Sequence, residues 1–307
     1  MNRQIMNDYP RLTEELLSIR DWLRFTVSRF EEAEIFFGHG TDNSYDEAVW
    51  LVMSALHIPL DTIENFLDAR ITEQERKYLS SLIERRITER TPTAYLLQEA
   101  WLQGFKFYVD ERVIVPRSFI AELLQNDLNP WIEFPEMIES AADICTGSGC
   151  LGVLLANSFP NATIDVIDIS PDAIDVANIN IANYGLQDQI TAIESDMFTA
   201  IKGRTYDLII SNPPYVDAPS MAQLPTEYQR EPQLALGSGH DGLDHTHTIL
   251  REAAKHLNDN GILIVEIGHN RDALLQAYPE VQFVWLEVSS GDEFVFLLSK
   301  NQLLNLQ

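Results

Sequence analysis

Asp143-Ile144-Cys145-Thr146-Gly147-Ser148-Gly149-Cys150-Leu151-Gly152 is an apolar run that passes through a glycine-punctuated turn into the start of a helix. Gly147 and Gly149 remove side chains where a ligand would meet the backbone. The helix that follows offers unpaired N–H groups to an anion. The spacing matches G-x-G-x-x-G, which is informative where it joins a strand to a helix. Gly147 and Gly149 are therefore expected to let this turn cradle a nucleotide-type ligand.

Around this turn, short apolar runs alternate with helical patterns. The runs cover 141–145, 163–167, 190–193, 206–210, 261–267 and 281–286, and the helical patterns 150–158, 171–184, 243–257 and 271–277. That rhythm predicts an α/β fold with a doubly wound, mostly parallel, Rossmann-like sheet of seven strands. The last run, 293–298, follows 281–286 after only Ser289-Ser290-Gly291-Asp292. A hairpin alone fits so short a connection, so the final strand is expected to be antiparallel.

Upstream the period is helical. Leu12, Leu16, Ile19, Leu23 and Val27 mark one face, and Gly38-His39-Gly40 ends that segment. A second helix is expected over 45–56, stopped by Pro59. Thr72-Glu73-Gln74-Glu75 fits a capping box opening a third through Leu79, Leu82, Ile83 and Ile87. Over 98–115 the period changes to two, with Trp101, Phe105, Phe107, Val109, Val113 and Val115 alternating around Gly104, which reads as a hairpin. Pro116-Arg117-Ser118 closes it. The expected division is a helical domain over 1–92, a linking β-hairpin over 93–116 and the ligand-binding sheet over 117–307.

The 307 residues carry 21 Lys plus Arg against 47 Asp plus Glu, a net charge of −26. Nucleic-acid affinity comes largely from basic groups displacing counterions, so this balance favours a basic protein or a small molecule as partner. Cys145 and Cys150, the two cysteines, are too few for a zinc site and read as reduced thiols. His240, His245, His247, His256 and His269 lack ligand spacing, and no metal is expected. The first residues have no apolar signal core, and no apolar run reaches membrane-spanning length. A cytoplasmic protein is the expectation.

Further anchors sit at other strand ends. Asp168, closing Ile164-Asp165-Val166-Ile167-Asp168, can accept from both hydroxyls of a ribose, which suits NAD and S-adenosylmethionine alike. In Ser195-Asp196-Met197-Phe198, Asp196 can accept from an adenine amine while Met197 or Phe198 packs on the ring.

Ile209-Ile210-Ser211-Asn212-Pro213-Pro214-Tyr215 decides between those cofactors. Two prolines fix φ and supply carbonyls without donors. The Asn212 amide oxygen and the Pro213 carbonyl can together accept from a planar NH2 group, with Tyr215 across its face. Such a nitrogen is a weak nucleophile, since its lone pair is delocalised. Two accepted hydrogen bonds favour pyramidalisation and stabilise the charge that grows as an N–C bond forms. A dehydrogenase has no use for this arrangement.

With these motifs the second domain resembles the seven-strand S-adenosylmethionine-dependent methyltransferases. Val115-Pro116-Arg117, Asn212-Pro213-Pro214-Tyr215 and Glu231-Pro232…Ala235-Leu236…Gly239…Asp241-Gly242-Leu243 narrow the resemblance to protein-(glutamine-N5) methyltransferases. Glu99-Ala100-Trp101, Phe105 to Val113 and Thr146 to Cys150 resemble the branch acting on large-subunit ribosomal protein three, whereas Phe119 stands where many relatives have proline.

The resemblance implies S-adenosylmethionine on Thr146 to Cys150, Asp168, Met197 and Asn212, and the substrate glutamine on Asn212, Pro213, Pro214 and Tyr215. It sets Arg117 at the pocket rim and Glu231 in support, although a surface ion pair accounts for Arg117 equally well. It implies a basic ribosomal protein as substrate, with the helical domain as the expected recognition element. The acidic charge, repelled by the RNA phosphate of an assembled ribosome, points to modification before or during assembly. Glutamine methylation of release factors, methylation of adenine amines in nucleic acid, and a non-catalytic binding module are the other readings.

Overall fold

The computed structural model describes residues 13–306. Two compact units are present: residues up to Glu99 together with Pro225–Arg230, and Ala100–Leu224 together with residues from Glu231 on.

The first unit is helical. Ser18 caps the helix Ile19–Glu32 by accepting from the Asp21 N–H, while the Asp21 carboxylate takes the Ser18 N–H at 2.9 Å. That reciprocal cap starts the helix well after the apolar stripe suggests; Leu12 lies outside the described residues. The helices Ser44–Ala55 and Glu73–Thr88 follow, the second opened by the expected Thr72–Glu75 capping box. Trp22, Phe30, Leu51, Met53, Leu79 and Ile83 form the core. Within it lies a fully buried guanidinium. Arg86 meets Glu47 at 2.6 Å, donates to the Phe36 carbonyl at 3.0 Å and lies 3.6 Å from Glu227. Glu227 comes from the returning segment, and also takes Arg90 at 3.1 Å. A buried ion pair balances its desolvation only when its remaining hydrogen bonds are met, as this network largely does.

The second unit begins with a short hairpin, β1 (Ala100–Leu102) against β2 (Phe105–Phe107). The alternation read through 115 goes beyond it: Val109, Val113 and Val115 are buried but lie in no strand. The main sheet contains β3 (Ser140–Ile144), β4 (Thr163–Asp168), β5 (Ile190–Glu194), β6 (Tyr206–Ser211), β7 (Leu257–Glu266), β8 (Val284–Val288) and β9 (Gly291–Ser299), in the order β5-β4-β3-β6-β7-β9-β8. The neighbours from β5 to β7 pair in parallel, whereas β9 runs antiparallel to both β7 and β8. The expected hairpin is present, and its second arm inserts beside β7. The helical pattern over 243–257 is shorter than read: the helix Asp244–Glu252 gives way to a 3-10 turn, and Leu257 already belongs to β7.

The helix Cys150–Ser158 packs close to the sheet. A Cβ on Gly152 would stand 2.2 Å from Val166 Cγ1 on β4. Gly152→Ala is therefore expected to cost about 1–3 kcal/mol of overpacking. Denaturant unfolding checks this, and an unchanged midpoint would refute the close seating of this helix.

Candidate active site

The turn after β3 is built from left-handed residues: Cys145 at φ 63°, Gly147 at 56° and Gly149 at 77°. The two glycines serve different ends. A Cβ on Gly149 would press Ala177 at 3.0 Å, while one on Gly147 would meet nothing within 4 Å. Gly149 therefore lets two helices approach, and Gly147 opens onto empty space. The turn is fastened from behind. The Thr146 hydroxyl donates to the fully buried Asp143 carboxylate, and Ser211 Oγ donates to the Ile144 carbonyl at 2.6 Å. Asn180, also fully buried, donates to the carbonyls of Ser148 at 2.8 Å and Tyr108 at 3.0 Å, and accepts from the Tyr108 N–H.

Asp168 ends β4 beside this turn. Its oxygens accept from the Gly147 and Ser170 N–H groups, each at 2.9 Å. Burial pushes its carboxyl upward against those donors. After β5, Asp196 and a left-handed Met197 (φ 45°) form the facing wall. Phe198 is core instead, stacked on His256 at 4.9 Å.

Thr146, Gly147, Ser148, Cys150, Asp168, Asp196 and Met197 line one open cavity of about 140 Å³, and Arg117, Ser118, Asn212, Pro214, Leu234 and His245 are also on its wall. All five residues from Thr146 to Cys150 except Gly149 lie on its wall. Pro213 is buried behind the wall. Tyr215 sits away from the lining, against Gly268, where an added Cβ would fall 2.6 Å from its Cε2. The Tyr215 carbonyl accepts from Asn270 at 2.7 Å.

Asn212 follows β6 at the carboxyl edge of the sheet, where open α/β sheets bind ligands. Its Nδ2 donates to the Arg117 carbonyl at 3.0 Å. Its Oδ1 is buried and has no hydrogen-bond partner among the described residues. Arg117 grips Glu231 through two bonds of 2.7 and 2.6 Å, and Glu231 is buried. The rim position and the ion pair are thus both realised, with a specific buried partner rather than a surface carboxylate.

Glu266, which the sequence reading does not single out, ends β7 next to this group. It accepts from Ser118 Oγ at 2.6 Å and the Phe119 N–H at 2.9 Å. Burial lifts Glu266 to about 7 and Asp143 to about 7. Burial also raises both thiols, Cys150 to about 12. Among the histidines, His245 reaches the cavity and pairs with Ser238 at 2.9 Å, with burial lowering its pKa. His247 meets Tyr278, His256 meets the Arg204 carbonyl, and His269 packs edge-on against Phe294. No helix among the described residues is long and apolar enough to cross a membrane.

Residues 122–226 match the family model described as the methyltransferase small domain, and relatives over nearly the whole chain set the class of this protein as a methyltransferase. Relatives similar over nearly the whole chain go further. A ribosomal protein uL3 glutamine methyltransferase of Neisseria gonorrhoeae is 57% identical over 96% of this chain and 99% of its own length. One of the same name from Burkholderia pseudomallei is 50% identical over 93% of this chain and 95% of its own. The chain belongs to the ribosomal protein uL3 glutamine methyltransferase family. A solved methyltransferase from Pyrococcus furiosus aligns with a TM-score of 0.45 at 19% identity, over 65% of this chain and 90% of that one.

The buried carboxyl of Asp143 has a consequence in pH. Between its ordinary value of 3.8 and the raised value of about 7, the folded protein keeps a proton that the unfolded chain has released. Stability contributed by this group therefore falls as pH rises through that window and is lowest above it. Asp143→Asn removes the titration, so its melting temperature is expected to fall less steeply across the window than the parent's. Thermal melts in a pH series check this, and equal slopes would remove Asp143 as the source.

Proposed function

We propose that this chain transfers the methyl group of S-adenosylmethionine to the side-chain amide nitrogen of a glutamine in ribosomal protein uL3. One observation carries the reading: Asn212 lines the cavity with its NH2 end held by the Arg117 carbonyl, and its buried Oδ1 is left without a hydrogen-bond partner among the described residues. Leaving a buried acceptor unmet costs about 1–3 kcal/mol, so an incoming donor is the natural complement. Family membership supplies the substrate class.

The residues present fit the cofactor. Gly147 has open space where a side chain would stand, and Asp168 keeps acceptor capacity beyond what its backbone donors use. We assign Thr146, Gly147, Ser148, Gly149, Cys150, Asp168, Asp196, Met197 and Asn212 to cofactor binding. When bound, the sulfonium supplies an electrophilic methyl carbon and a neutral thioether leaving group.

The catalytic work of the chain is orientation and charge stabilisation. Asn212 accepts from the substrate NH2, and we assign the Pro213 carbonyl as second acceptor. Pro214 lines the wall, and Tyr215 packs against Gly268 away from it, supporting the segment that carries Asn212. As the N–C bond forms and the S–C bond breaks, positive charge grows on nitrogen and the bond to Asn212 strengthens. The surplus amide proton then leaves to water. No nucleic-acid substrate is proposed, given a net charge of −26. The same charge favours encounter with a basic ribosomal protein and disfavours approach to the RNA of an assembled ribosome. We therefore place the reaction in the cytoplasm, before or during assembly, with the helical unit as the recognition element.

Asp168→Ala is expected to weaken cofactor binding by about 1.5–3 kcal/mol, as for a hydrogen bond to a charged group. Calorimetric titration checks this, and unaltered affinity would take Asp168 out of the site. Mass spectrometry after incubation with S-adenosylmethionine should show one methyl gained on a glutamine of purified uL3, and more slowly on intact ribosomes. Asn212→Ala should lower kcat about a hundredfold or more, in the range found on removing one charge-stabilising hydrogen bond. Methyl transfer to a release factor in place of uL3, or full turnover by Asn212→Ala, would overturn the reading.

A further inference from the structure

The segment from Val115 to Phe119 is clamped from both sides by two buried carboxylates. Glu231 accepts from the Val115 N–H at 2.9 Å and receives the Arg117 fork at 2.7 and 2.6 Å. Glu266 accepts from Ser118 Oγ at 2.6 Å and the Phe119 N–H at 2.9 Å. Between the clamps lies the Arg117 carbonyl, which takes Asn212 Nδ2 at 3.0 Å. The sheet sets the alignment: Ser211 on β6 pairs with Val265 on β7, so Asn212 and Glu266 are the next residues along that register.

A carboxamide has nearly the same shape with its oxygen and nitrogen exchanged, so only its hydrogen bonds decide which end faces the cavity. If the Arg117 carbonyl turns aside, Asn212 loses the partner that fixes its NH2 end. A donor then faces the substrate NH2 in part of the population, and only the competent fraction turns over.

We propose that Glu231 and Glu266 are positioning residues that hold the Val115–Phe119 segment so that Asn212 presents its oxygen to the substrate amide. This rests on the role given to Asn212 above. Neither carboxylate touches the reacting atoms. Both act through one backbone carbonyl, and their effect belongs in kcat rather than in cofactor affinity.

The test is a double-mutant cycle on the full chain, reading kcat, cofactor affinity and thermal stability for each variant. Glu266→Leu, which removes the acceptor at similar bulk, should lower kcat about tenfold or more while cofactor affinity stays within about twofold. Glu266→Gln keeps an acceptor and should recover at least about a third of the lost rate. Glu231→Gln, which breaks the fork, should act in the same direction. In an Asn212→Ala background, Glu266→Leu and Glu231→Gln should have almost no further effect on kcat, because the residue through which they act is gone. Losses that multiply independently with Asn212→Ala would overturn the proposal, as would a fall in cofactor affinity matching the fall in rate. Should Glu266→Leu fail to fold, the Glu231→Gln arm decides alone. An Asn212→Ala enzyme of normal turnover would instead refute the role of Asn212 itself, a separate outcome.

Discussion

The donation from Asn212 Nδ2 to the Arg117 carbonyl is the interaction on which the proposed chemistry of this protein turns. It converts a symmetric-looking side chain into one with a defined, buried acceptor end on a residue that lines the cavity. The rest of the second unit can be understood as what is needed to hold that geometry. β6 brings Asn212 to the carboxyl edge, β3 brings the glycine turn beside it, and β7 brings Glu266 behind it. Strand pairing sets the backbone separations, and side-chain hydrogen bonds then settle orientation at a finer scale.

Much of this was legible in the sequence because it is locally encoded. The glycine turn, Asp168 and the Asn-Pro-Pro-Tyr segment each combine a residue type with a position at a strand end, which open α/β sheets use for ligands. The capping box at Thr72 was readable for the same reason, since its partners are three residues apart. The antiparallel last strand followed from chain length alone. What could not be read rests on contacts between distant residues. Glu266 lies 148 residues from Ser118, and Glu231 lies 114 from Arg117. Asn180 sits on a helix as one polar residue among many, yet it joins the hairpin to the turn. Phe198 was ambiguous from its spacing, because an apolar residue after a strand serves the core or a ligand equally. The return of Pro225–Arg230 to the helical unit has no compositional signal either.

Both units bury carboxylates in a strongly acidic chain, and they do so differently. In the helical unit, Glu47 and Glu227 converge on Arg86. In the sheet unit Glu231 likewise meets Arg117, but Asp143 and Glu266 are met by hydroxyl and backbone donors, and burial raises both toward neutrality. The first arrangement sets its carboxylates against guanidinium groups. The second surrounds each carboxyl with neutral dipoles, so its protonation is sensitive to the packing around it.

The place of β9 has a bearing on biosynthesis. It sits between β7 and β8 although it follows both in the chain, so β8 has no neighbour in the sheet until residues 291–299 have been made. Domains emerge from the ribosome amino end first, and pairings of long sequence separation form late. The flank of β7, the strand that ends at Glu266, therefore stays open until residues 291–299 have left the exit tunnel. A truncated nascent chain would carry every cavity residue and still lack the last brace of its sheet.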